Sequence, residues 1–69
     1  MIELSLNRDY YHLQEKMYAW CQENLGLGGW SAVPTAHNDV QWGVASAFGN
    51  THFYFRNESD ATLFSLKWR

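Results

Sequence analysis

Few side chains in this chain could do chemistry. The candidates are three histidines (His12, His37 and His52), one cysteine (Cys21) and the carboxylates Asp9, Glu15, Glu23 and Asp39. His37-Asn38-Asp39 sets an imidazole close to a carboxylate, but no second ligand pair of recognised metal spacing accompanies it. The segment reads instead as a turn with an Asx-type hydrogen bond. Cys21 would need thiolate character to act as a nucleophile with a histidine base. It falls beside Met17 and Trp20 on an apolar helical face, where a thiol is inert. Acid–base work by paired carboxylates needs burial and convergence, whereas Asp9, Glu15, Glu23 and Asp39 fall on solvated faces or turns. Gly26-Leu27-Gly28-Gly29 follows a helical segment and no Lys-Ser/Thr pair trails it, so it is a helix stop and not a phosphate loop. The expectation is a chain with no catalytic residue, no metal ligand set and no cofactor site.

Aromatic residues carry more information. The chain has four Trp, four Tyr and four Phe. Tyr10, Tyr11 and Tyr18 give the first helix an aromatic flank wider than a core stripe needs. They either cover a sheet edge or anchor a partner, since tyrosine is enriched at binding hot spots. His52, Tyr54 and Arg56 alternate with Phe53 and Phe55 and so share the other face of a strand. Trp30 joins that face or the core according to register, because a one-residue slip reverses every side chain. Trp30, His52, Tyr54, Arg56, Tyr11 and Tyr18 are therefore the candidate interface.

These residues need elements to position them. Ile2, Leu4 and Leu6 alternate with polar residues, the period of a half-buried strand. From Arg8 to Leu25 the apolar positions Leu13, Met17, Trp20 and Cys21 follow helical spacing. Asn7 or Asp9 is the expected N-cap, and Gly26 the left-handed residue that ends the helix. Trp30 to Thr35 reads as an edge strand because of Pro34, and residues 36–39 as a turn. Val40, Trp42, Val44 and Phe48 alternate into a hairpin turn at Gly49-Asn50, and Thr51 to Arg56 returns. That register pairs Phe48 with Thr51, Ser46 with Phe53 and Val44 with Phe55. The other face then sets Ala47, Ala45 and Gly43 beneath His52, Tyr54 and Arg56. Asn57-Glu58-Ser59-Asp60 resembles a capping box, and Ala61, Phe64 and Trp68 follow at helical spacing. Phe64, Leu66 and Trp68 also fit a strand, but the cap favours a helix.

The ending Phe53-x-Phe55, Asp60-Ala61, Phe64-x-Leu66-x-Trp68 resembles one shared by many short uncharacterised proteins of tailed phages, marine cyanophages among them. The resemblance covers residues 53–68. It is a packing motif and implies no activity, only a small accessory protein acting inside a bacterial host. The strand-to-helix step is also similar to RNA-recognition sheets, but their glycine-aromatic signature is missing.

Length and charge complete the reading. The chain has 69 residues and a net charge of −2. That allows one domain, residues 1–69. It argues against a strongly basic nucleic-acid module. An apolar content of 46% excludes a disordered chain. No apolar run is long enough to span a bilayer, and Met1-Ile2-Glu3-Leu4 lacks signal-peptide features, so a cytoplasmic setting is expected. The expected fold is α+β: a single antiparallel sheet with two helices on one face, in the order β-α-β-β-β-α. Element order alone relates it to a ferredoxin-like arrangement lacking its final strand. A chain this short gains little surplus stability from its own core. The expected function is a non-enzymatic protein-interaction or oligomerisation module, a homodimer whose further partner is a host or phage protein. The alternative is a single-stranded nucleic-acid binder in which rings stack bases and Arg56 meets phosphate.

Overall fold

In chain order the elements are β1 (Ile2–Leu6), α1 (Gln14–Asn24), β2 (Gly28–Trp30), β3 (Trp42–Ala47), β4 (Asn50–Phe55) and α2 (Glu58–Trp68). These come from a computed structural model that describes residues 1–6 and 12–68. The strands form one sheet in the order β1-β4-β3-β2. The fold is α+β with a single sheet, and the element order is the expected one.

The period-two residues settle the faces. Ile2, Leu4 and Leu6 of β1 stand opposite Phe55, Phe53 and Thr51 of β4. Trp42 and Val44 of β3 stand opposite Phe55 and Phe53. Both helices cover this face. Met17, Cys21 and Leu25 come down from the α1 side, and Ala61 and Phe64 from α2. Phe64 is the centre of the packing, with its ring 4.7 Å from Phe53 and 5.2 Å from Phe55. Trp20 meets it edge-on at 6.1 Å. The fully buried Trp42 donates its indole N–H to the Gly26 carbonyl at 3.0 Å, which satisfies the one polar atom of a large apolar side chain.

Helix α1 begins at Gln14, later than the apolar spacing implies, and Leu13 precedes it without a side-chain cap. The expected caps, Asn7 and Asp9, lie outside the described residues. Gly26 has φ +97° and ends α1 as expected. Helix α2 runs through to Trp68, so the helical alternative holds for this segment. Among the described residues no helix is long and apolar enough to cross a membrane.

Three details differ from the sequence expectation. First, the sheet is mixed: β2 runs parallel to β3, while β1–β4 and β3–β4 are antiparallel. A parallel neighbour needs a long return connection, and residues 31–41 provide it. Second, the strand expected at Trp30–Thr35 ends at Trp30. Ser31 takes φ 58° there and turns the chain away. Third, the hairpin turn is Phe48-Gly49 and not Gly49-Asn50. Ala47 closes it against Asn50, and Thr51 faces Ser46 instead of Phe48. The slide is two positions, so the faces are kept, but Phe48 leaves the core for the tip. The ferredoxin-like relation rests on element order alone. The strand order puts β1 and β2 at opposite edges, with the β3–β4 hairpin between them.

Candidate interaction site

His52, Tyr54 and Arg56 do share the helix-free face of the sheet, across from Ala45 and Gly43 as far as the strand pairing runs. That face is not open along its length. The connection 31–41 returns across one end of it, and Arg56 holds it there. The guanidinium Nε donates to the Val40 carbonyl at 2.9 Å, and Nη2 donates to the Thr35 and Asn38 carbonyls at 2.8 Å each and to Asn38 Oδ1 at 3.0 Å. Arg56 is thus a structural clamp and not the free cation that a phosphate contact requires.

Asn38 completes the clamp. Its Oδ1 also accepts from the Thr35 and Val40 backbone N–H groups, at 3.2 and 3.1 Å, and its Nδ2 donates to the Val33 carbonyl at 3.0 Å. Gly43 explains how the loop comes so close: a Cβ there would collide with the Ala32 carbonyl. The sequence marks 36–39 only as a turn. That Asn38 would organise a loop around a distant arginine has no local signal.

At the other end of this face, His52 Nδ1 lies 2.8 Å from Ser5 Oγ and 3.1 Å from Glu3 Oε2. Such an exposed pair adds little stability. Tyr54, half-buried, stands between Glu3 and Gly43 in the sheet.

Trp30 is on the opposite, helix-bearing face. The register sets it beside Val44, whose side chain is in the core. There it is 53% exposed and forms a wall of a cleft of about 670 Å³. Tyr18, Gln14 and Glu15 line the cleft from α1, with Val44 and Phe53 below. Tyr18 is half-buried, its ring edge-on to Trp42 at 5.2 Å and 81°. Tyr11 lies outside the described residues. The structure therefore divides the expected interface: His52, Tyr54 and Arg56 on one face, Trp30 and Tyr18 on the other.

Phe48 was not an expected site residue. It is 103% exposed at the hairpin tip with φ 53°. A bulky residue in the left-handed region is a genuine backbone outlier, and such strain concentrates at functional positions. Local alternation assigns Phe48 to the core equally well, so the sequence hides this.

His52 and Glu3 are in contact at 3.1 Å, but Cys21 is buried away from them. Burial, with a smaller contribution from the Asp60 carboxylate, pushes the Cys21 thiol up to about 12, far from a nucleophile's range. His12 and His37 are exposed, as are Glu23 and Asp39, and Asp9 lies outside the described residues. Among the described residues no group of three or more His, Cys, Asp or Glu side chains is arranged to hold a metal. What the geometry offers is an exposed aromatic knob and an aromatic-walled cleft. No family model matches the chain, and neither does any curated protein or solved structure.

Proposed function

We propose that this chain is a small non-enzymatic interaction module that associates with a second copy of itself, through the sheet edge that exposes Phe48 and Trp30. Phe48 is the observation that carries the reading. Its left-handed backbone costs about 1–2 kcal/mol for an ordinary L residue. Being 103% exposed, its ring returns nothing to the fold of its own chain. Burying such a ring against a partner is worth about 1.5–3 kcal/mol. A 69-residue chain gains further because its own core is small, and most soluble oligomers are symmetric assemblies of one chain. The tailed-phage resemblance of residues 53–68 fits a compact accessory protein in a bacterial host, with a host or phage protein as a further partner. Arg56, bound to its own loop, gives the nucleic-acid alternative no support. Sedimentation velocity from low micromolar to near-millimolar concentration tests the reading. The expected result is a sedimentation coefficient that rises with concentration, and a monomer throughout overturns it.

A further inference from the structure

The contact itself can be named from the topology, resting on the self-association reading above. β2 ends opposite Val44, while β3 continues to Ala47. Beyond Trp30, β3 therefore has a free edge at Ala45–Ala47, and no strand among the described residues pairs there. The Val44 carbonyl accepts from the Ser31 N–H on that side at 2.8 Å. Backbone groups alternate sides along a strand, so the N–H and C=O of Ser46 point the same way. Among the described residues the two non-glycine residues with positive φ, Ser31 and Phe48, stand at the two ends of this short edge.

The knob and the cleft lie at opposite ends of the same edge. Val44 is in the cleft floor and Phe48 is four residues on, a separation of about 13 Å at ~3.3 Å per residue. Trp30 already holds the place beside Val44 on this edge, so antiparallel pairing of two copies across Ser46 brings each Phe48 against the Trp30 end of the other copy's β2, which walls the cleft. Charge permits it. The tip sequence Ser46-Ala47-Phe48-Gly49-Asn50-Thr51 has no ionisable side chain. It therefore approaches Glu15 at the cleft rim without repulsion, and a net charge of only −2 opposes association weakly.

We infer that the partner is a second copy of this chain, bound reciprocally: Phe48 of each copy enters the cleft walled by Trp30 and Tyr18 of the other, about a two-fold axis near Ser46. A reciprocal contact of this kind closes as a dimer. With one ring and a three-residue edge from each copy as its anchor, the contact is expected to fall short of the roughly 1,600 Å² of a stable complex, so the dimer should be weak and concentration-dependent.

The test is sedimentation velocity and equilibrium on the wild type, Phe48→Asn, Trp30→Ala, and an equimolar mixture of the two variants. Far-UV circular dichroism reports folding. Phe48→Asn changes only an exposed turn, so it keeps the test valid even if Trp30→Ala perturbs the fold. Each variant alone should associate at least about tenfold more weakly, the loss typical of an aromatic hot spot. The mixture should recover a heterodimer, because one intact knob still meets one intact cleft. Iodide quenching of tryptophan should fall with concentration in the wild type and not in Phe48→Asn. A wild-type dimer that persists in both variants overturns the contact while leaving self-association standing. A wild-type monomer at every concentration overturns both.

Discussion

Replacing Phe48 by Asn should make the isolated chain more stable. Phe48 is the first of two turn residues with positive φ, 53° followed by 80° at Gly49. That combination is the hairpin turn for which Asn-Gly is preferred. An L residue pays about 1–2 kcal/mol in this region, and Asn, whose short polar side chain bonds locally, pays less. Phe48 is 103% exposed, so the substitution forfeits no packing within the chain. The net gain is about 1 kcal/mol, which raises the melting temperature of a domain this size by roughly 4–8 °C. Thermal unfolding followed by circular dichroism measures it, at a concentration low enough that wild-type association adds no stability by mass action. Phe48→Gly relieves the same strain but loosens the unfolded chain, so its gain should be smaller. An unchanged or lower melting temperature for Phe48→Asn would refute the idea that this turn is strained. A residue that lowers stability in isolation while presenting its ring to solvent is consistent with the self-association proposed above.

Other consequences follow from the same geometry. Arg56→Ala removes a charged donor from three carbonyls and Asn38 Oδ1. It should cost about 2 kcal/mol, with hydrogen exchange rising selectively across residues 31–41. Arg56→Lys should restore only part of the loss, since an ammonium lacks the planar fork. Gly43→Ala drives a methyl into the Ala32 carbonyl and should cost at least about 3 kcal/mol or detach the loop, read by denaturant unfolding. Phe64→Ala leaves a cavity against Phe53, Phe55 and Trp20 and should cost about 3–5 kcal/mol, enough to leave much of the chain unfolded at room temperature. Cys21, pushed up to about 12 by burial, keeps its proton in the folded state while an unfolded thiol loses it from about pH 9. Its contribution is therefore fully present below pH 9 and lost as pH rises towards 12. In the native protein it should resist a thiol reagent at pH 8 and react only on unfolding.

Local sequence determined which residues share a face and where most elements lie. Ile2, Leu4 and Leu6 alternate as a half-buried strand does. Leu13, Met17, Trp20 and Cys21 together fit one face of a helix. The hairpin illustrates how robust this is. The turn at Phe48-Gly49 slides β3 past β4 by two positions from the expected register, yet every core side chain from Trp42 to Val44 and Phe53 to Phe55 keeps its face. A period of two is blind to a slip of two. For the same reason the sequence could not distinguish Phe48 in the core from Phe48 at the tip.

The site depended on decisions of longer range. The direction of β2, the face taken by Trp30 and the partner of Arg56 all follow from where residues 31–41 cross the sheet. That crossing is held by bonds from Arg56 to groups 16, 18 and 21 residues away. No periodicity within a strand or helix encodes such a separation, because it depends on Gly43 leaving room for the Ala32 carbonyl and on four acceptors converging on one guanidinium. Composition marked the aromatic residues that outnumber the needs of a small core. Only the tertiary structure separated those that line a cleft, those that cover a face and Phe48, which stands at the hairpin tip, since exposure is a property of what the rest of the chain leaves uncovered.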